Sequence, residues 1–469
     1  MKIAALVLMS ATLLSSQTAA GQTVSPHVKL PPYTRQVLPN GAVLNVMPRK
    51  DVPLITMSIV FKGGAEADPA ELPGLANVTA EAIRRGTAKR TAEQFAQELD
   101  SLGGAFESGA DLQSLRVDAE FLSKDLAAGL DLVMDAIRNP AFPEAEIKKV
   151  VAQHVDSAKG AKDNPSAAAG LYFRSFYYGP SHPYGRPADE LSYARITRKD
   201  VADFHKRMFA GRNMIVAVAG DLDPATATKL LVDAFGAVRA GEAYPWKQAP
   251  AAQAKATRVA VVDKPDATET QFLIGQPGIE RTHPDRVPLW VVNTIFGGRF
   301  TSILNDELRV NTGLTYGASS RMDQFHLPGR ITIASFTRTE TTGKAVDVAL
   351  SLLRTLREKG ISAEQLASSK QYLKGTYPAD RLETPDQLVE ILTEIELFDL
   401  NRGEVDDLFS RIDAVTLDKA NEVIKKYYGS GNLTFLLLGN ASAFDAELKK
   451  HAPVVTRVPI SDPGFRVAP

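Results

Sequence analysis

The sequence predicts an α+β fold written twice in one chain. The block RITRKDVADFHKRMFAGRNMIVAVAGD lies over DAVTLDKANEVIKKYYGSGNLTFLLLGN at a constant spacing of 219 residues, which sets Thr197 on Thr416, Asn213 on Asn432 and Gly220 on Gly439. Matching caps, helix lengths and closing strands at one spacing point to a duplicated domain. Within each half, strand patterns of period two alternate with longer patterns of helical period, as an α+β domain requires. With 469 residues, 44% of them apolar and 23% charged, the chain is long enough for two such cores.

In chain order, Lys2 precedes an apolar and small run from Ile3 to Leu14, followed by Ser15, Ser16, Thr18 and Ala20. This pattern predicts a signal peptide over residues 1–20 with cleavage after Ala20, because Thr18 and Ala20 are small at the two positions a signal peptidase reads. The run is shorter than the roughly twenty residues a membrane span needs, and no later segment supplies one. An exported protein, periplasmic or secreted, is expected.

Asn40-Gly41 is a hairpin signal ahead of a strand at AVLNV, and LITMSIVF is a second strand. Helices are expected over Gly74–Arg85 and Thr91–Leu102, the latter capped by Thr91 with Gln94 and stopped by Gly103-Gly104. Two strands bracket SGADLQS, and helices follow over Lys124–Arg138, Pro143–Lys159 and Pro165–Tyr178. A helix over Arg198–Met208 and the strand NMIVAVAGD close the first half. The Ala-rich stretch over residues 239–256, with Pro and Gly, reads as the linker. The two units are placed at residues 33–238 and 257–455. The same spacing sets Asn77 near Phe296 and makes FGGRFTSILNDELRVNTGLTYG the partner of the first helix. Two halves closing on each other would bring these helices to opposite walls of one chamber.

Composition excludes several function classes. A formal net charge of −1 with scattered basic residues gives no footprint for nucleic acid or anionic lipid. The absence of cysteine excludes disulfides, thiolate zinc sites and cysteine nucleophiles.

Five segments together, LPNGAVLNVMPRKDVPLITMSIVFKGGAEADP, PGLAN with RRGT, SHPYGRP, VAVAGD and GLTYG, resemble the insulinase or pitrilysin family of zinc metallopeptidases. The likeness is to the family's subunits of this length, as in mitochondrial processing peptidase and bacterial relatives. The resemblance runs from about Tyr33 to about Ala452. It implies two tandem homologous α/β-roll domains, each a mixed sheet covered by helices, that form half of a clamshell chamber. Active members carry H-x-x-E-H on the first helix, two zinc-binding His with a Glu as general base, and a third ligand, a Glu, on a later helix. Here the three helix positions hold Asn77, Ala80 and Glu81, and the later position falls at His154. Asn77 is a poor zinc ligand and Ala80 has no proton acceptor, so the resemblance implies a degenerate site. An ordinary helix face, with Glu81 pairing to Arg84 or Arg85, is the expected arrangement rather than a rearranged metal site.

The family also uses an Arg and a Tyr seven residues apart to grip the substrate backbone and steady the developing oxyanion, and LRVNTGLTYG supplies Arg309 and Tyr316 at that spacing. Such donors need lose no proton to act. His182 and Tyr184 in SHPYGRP read as part of a fixed turn. FGGRF is a close turn before a helix and lacks the Lys and Ser or Thr of a phosphate loop.

The resemblance therefore implies a non-catalytic, substrate-binding subunit of a heterodimeric zinc metalloendopeptidase, completing the site of a catalytic H-x-x-E-H sister chain through Arg309 and Tyr316. Substrates would be unfolded peptides. This chain itself would bind no cofactor, and the zinc would reside in the partner. A cell-envelope scaffold or peptide-binding protein with no role in proteolysis, and an autonomous peptidase with atypical ligands, are the competing readings.

Overall fold

A computed structural model describes residues 28–249, 254–429, 431–452 and 454–467, so the predicted signal peptide over 1–20 lies outside the described residues. The first half runs β1 (Thr34–Val37), β2 (Val43–Pro48), β3 (Leu54–Lys62), α1 (Leu75–Ala82), α2 (Ala92–Ser101), β4 (Ala105–Ala110), β5 (Ser114–Leu122), α3 (Leu126–Arg138) and α4 (Glu144–Gly160). It continues through α5 (Pro165–Tyr178), α6 (Glu190–Tyr193), α7 (Arg198–Met208), β6 (Met214–Gly220) and α8 (Pro224–Gly236). The second half opens with β7 (Arg258–Asp263), β8 (Glu269–Pro277), α9 (Arg286–Asn293), α10 (Ile303–Asn305), β9 (Ala318–Met322), β10 (Arg330–Arg338), α11 (Thr342–Lys359) and α12 (Ala363–Arg381). It ends with α13 (Pro385–Leu397), α14 (Gly403–Asp406), α15 (Leu408–Asp413), α16 (Leu417–Tyr427), β11 (Thr434–Gly439), α17 (Asp445–Leu448) and β12 (Val455–Pro459).

Local signals behave as read. Gly41 adopts a left-handed φ of 89° in the turn that pairs β1 antiparallel to β2. Thr91 and Gln94 form the capping box of α2.

The strands form two mixed six-stranded sheets, ordered β1-β2-β6-β3-β5-β4 and β12-β7-β11-β8-β10-β9. β2-β6-β3-β5-β4 superposes on β7-β11-β8-β10-β9 position by position, so the duplication extends to the topology of those five strands. β2 and β6 run parallel, as do β7 and β11, while β3 and β8 run antiparallel to those centres. The outer strand is where the halves differ: β1 comes from the N-terminal side and is antiparallel, whereas β12 comes from the C-terminal side and is parallel.

The central strands β6 and β11 are buried along their full length, which is why MIVAVAG and TFLLLG are apolar without alternation. On one face of β6, Val216 and Val218 join a core with Phe61, Leu231 and Phe235. On the other face, Ala217 and Ala219 meet Leu388, Leu392 and Ile395 of α13, a helix from the second half. The exchange is reciprocal: Leu436 and Leu438 of β11 pack against Ala168, Tyr172 and Phe176 of α5, a helix from the first half. Each half thus covers one sheet face of the other. The alanines of β6 allow α13 to sit close, and Gly275 of β8 allows the same for α5, since a Cβ there would come within 2.5 Å of Phe173.

The structure corrects the partner of the first helix. α1 lies between β3 and β4, and the element between β8 and β9 in the same place is α9, Arg286–Asn293, with the stretch 303–311 in the place of α2. The spacing of 219 holds for α7 against α16, whereas α1 and α9 are offset by less because the stretch from α9 to α12, including the β9–β10 connection and α11, is longer than the matching stretch from α1 to α4.

Candidate functional site

The residues singled out in the sequence fall in two groups, one around α1 and one around α10. α1 begins where PGLAN makes a sharp entry. Gly74 has φ 98°, and a Cβ there would come within 2.4 Å of the Tyr193 ring. Both the left-handed backbone and the ring contact demand glycine. Gly74 offers no side chain to cap the helix, so Asp68 reaches in, accepting from the Gly74 N–H at 2.7 Å and the Ala76 N–H at 2.8 Å. Burial pushes the Asp68 carboxyl up to about 7 despite those bonds.

On the face of α1 next to α4 and α6, the side chains of Asn77, Glu81 and His154 gather around Tyr193. The Asn77 amide donates to the Tyr193 hydroxyl at 3.3 Å. The His154 ring stacks on the Tyr193 ring, with centroids 4.8 Å apart and planes inclined 17°. His154 Nε2 lies 3.3 Å from Glu81 Oε2, while Glu81 Oε1 accepts from Arg85 one turn on. The interaction with His154 and then that with Arg85 hold the Glu81 carboxyl down at about 2. Ala80 is fully buried.

This donor set does not fit zinc. Its only good ligands are Glu81 and His154, Glu81 has a guanidinium on its other oxygen, and Asn77 points its amide nitrogen at a phenol. No group of three His, Cys, Asp or Glu able to hold a metal occurs among the described residues. Ala80 leaves no carboxylate where a general base would stand.

The second group is exposed. Arg309 lies in a π-helical turn, Asp306–Asn311, and Tyr316 in the loop before β9. Tyr316 is 76% exposed. The Arg309 guanidinium stands 4.7 Å from the Tyr316 ring centroid and 4.6 Å from that of Phe300, within cation–π range of both rings. The Tyr316 hydroxyl and the guanidinium edge remain as donors beside a large concave surface. No hydrogen bond or ring contact joins this pair to the Asn77 group among the described residues.

Sequence reasoning missed Tyr193 and Phe300. Tyr193 is far from α1 in the chain, and nothing in ELSYARIT announces the ring that organises Asn77 and His154. Phe300 lay within FGGRF, where the glycines drew attention to the turn. In SHPYGRP, the His182 ring accepts from the Tyr184 N–H at 3.1 Å, and the buried Tyr184 hydroxyl accepts from Gln113 at 2.9 Å and from the Leu327 N–H at 3.3 Å. That turn ties the two halves together.

Comparison with known proteins places the chain. A model described as insulinase (peptidase family M16) matches residues 47–169, and one described as peptidase M16 inactive domain matches residues 195–373. An uncharacterized zinc protease of Mycobacterium leprae (strain TN) is 26% identical over 430 residues, covering 89% of this chain and 95% of its own length. A protein of Helicobacter pylori (strain ATCC 700392 / 26695) named non-peptidase homolog YmxG is 23% identical, over 83% of this chain and 90% of its own. Among solved structures, a peptidase M16 inactive domain from Pseudomonas fluorescens superposes with a TM-score of 0.81 at 23% identity, covering 87% of this chain and 98% of that one. The periplasmic protease PqqL from Escherichia coli superposes with a TM-score of 0.72 at 15% identity, covering 91% of this chain and 51% of that one.

Proposed function

The chain belongs to the insulinase family, peptidase family M16, as a member lacking H-x-x-E-H, and from that premise we propose that it is the non-catalytic, substrate-binding subunit of a heterodimeric zinc metalloendopeptidase that degrades peptides. The observation that carries this reading is the contrast between its two groups. On α1 the ligand positions are locked into internal partners, with Glu81 held between Arg85 and His154. Beyond α10, Arg309 and Tyr316 are exposed, and the guanidinium is oriented by aromatic rings. A residue pair retained only for stability would be expected to bury Tyr316 or satisfy its hydroxyl. Here the hydroxyl is offered outward.

In this reading a sister chain with an intact H-x-x-E-H helix supplies zinc and general base, and the two chains close around the substrate. This chain's part is to bind the peptide backbone and to donate hydrogen bonds from Arg309 and Tyr316 to the carbonyl oxygen under attack. Preorganised donors aimed at a developing negative charge are a large part of acyl-transfer catalysis. The predicted signal peptide and the likeness to a periplasmic protease support a periplasmic setting. No helix among the described residues is long and apolar enough to cross a membrane.

The test is purification of the chain at native abundance from its own cells. An H-x-x-E-H chain of the same family should co-purify in equal amount, and the pair should cleave a quenched peptide that neither chain cleaves alone. Recovery of the chain without such a partner, or with turnover unaffected by its removal, favours a cell-envelope scaffold instead.

A further inference from the structure

α5 packs over β7, β11 and β8 of the second sheet, and the same sheet face continues beyond it across β10 to β9. There a groove of about 850 Å³ opens, with Ala169 and Gly170 of α5 on one side and the Arg309–Tyr316 pair on the other. Its floor is the set of side chains that the register places on one face: Leu273 opposite Ala334, and Thr332 opposite Arg321. The Thr332 hydroxyl in this floor is more than nine-tenths buried and has no hydrogen-bond partner.

The charge in the groove is one-sided. Four arginines line it, Arg299, Arg309, Arg321 and Arg330, against the single carboxylate of Asp323, which is paired to Arg330 at 2.9 Å. Arg299, Arg309 and Arg321 have no carboxylate within ion-pairing distance among the described residues. The rim adds exposed aromatic surface, with Phe300 68%, Tyr316 76% and Tyr372 40% exposed. Duplication does not account for this character: the matching face of the first sheet carries Glu107, Asp118 and Glu120 beside Arg116. An excess of guanidinium groups without carboxylate partners over an open groove selects carboxylates, and aromatic rims suit apolar side chains between them.

We propose that this groove binds an extended acidic peptide segment, rich in Asp or Glu with interspersed apolar residues, and so sets the substrate class of the assembly. The inference rests on the reading that Arg309 and Tyr316 contact peptide, but it concerns this chain alone.

The test is fluorescence anisotropy of the mature chain with three labelled peptides of equal length: one with alternating Glu and Leu, its Gln analogue and its Lys analogue. The acidic peptide should bind at least about tenfold more tightly than the Gln analogue, with the difference shrinking as salt rises. Arg321→Glu and Arg299→Glu, both outside the Arg309–Tyr316 pair, should each abolish the preference, with an unchanged melting temperature showing that the fold is intact. Equal affinity for the acidic and Gln peptides overturns the acidic preference, as does indifference to both charge reversals. Equal competition by a single-stranded oligonucleotide of matching charge overturns it as well, since the groove would then be an unselective anion trap. Arg309-dependent binding of all three peptides would overturn the acidic class and leave the half-site reading standing. That reading fails separately, if turnover by the reconstituted pair does not respond to Tyr316→Phe.

Discussion

Glu81 stands where a metal-binding helix would present an imidazole, and its two neighbours define what it does instead. Its carboxylate is held down at about 2 by His154 and Arg85, against an ordinary value of 4.5. A depressed carboxylate stabilises the fold above its unfolded pKa, and that contribution is lost as pH falls through the folded one. Glu81→Gln should therefore cost about 1–2 kcal/mol at neutral pH, allowing for partial exposure, and the gap from the parent protein should close as pH falls from 4.5 toward 2. Thermal melts of both proteins across that range check it, and a gap independent of pH would mean that the pair contributes by shape and not charge. Tyr316→Phe removes one donor and keeps the ring against Arg309. In the reconstituted pair kcat should fall about 10²-fold to 10³-fold with assembly unchanged. Arg309→Lys keeps the charge but loses the planar fork, and should also lower kcat. Full turnover by both variants in an intact complex would leave them structural.

At the scale of elements, the reciprocal exchange of α5 and α13 decides how the molecule unfolds. Leu392 of α13 is 1% exposed and packs on the first sheet, although its helix belongs to the second half. Leu392→Ala should destabilise by about 2–5 kcal/mol, the cost of deleting a buried isobutyl group and leaving a cavity. Because α13 covers one sheet while its chain neighbours build the other, both halves should lose stability together. The chain has two tryptophans: Trp290 on α9 reports the second half, and Trp246, stacked on His326 at 4.6 Å, reports the connection between halves. Single-tryptophan forms should show the same lowered midpoint. A Trp290 transition unmoved by Leu392→Ala would show that the halves unfold independently.

At the scale of the molecule, the proposed division of labour concerns which chain holds the metal. The purified chain should contain far less than one zinc per molecule by elemental analysis after dialysis and should hydrolyse no peptide alone, because Ala80 provides no base and Asn77 no imidazole. One zinc per chain, lost on Glu81→Ala or His154→Ala, would overturn the assignment of the α1 group as structural. Within the heterodimer, zinc should appear with the partner in a one-to-one ratio, and chelation should abolish turnover without dissociating this chain from peptide.

The sequence by itself determined the duplication, the fold class, the capped and glycine-terminated helices and the loss of H-x-x-E-H. Periodicity, caps and side-chain chemistry are local and survive translation into structure. Arg309 and Tyr316 are singled out through the resemblance to the family, because their spacing alone carries no role. Only the tertiary structure decided the correct partner of α1, because a fixed spacing cannot register connections of unequal length, whereas strand order can. The Tyr193 ring under Asn77 and His154 and the exchange of α5 with α13 depend on contacts between residues far apart in the chain. The groove is of the same kind. Its arginines lie between residues 299 and 330 of a chain of nearly neutral net charge, and they become one surface only when β9, β10 and the turns on either side of α10 fold onto a single face.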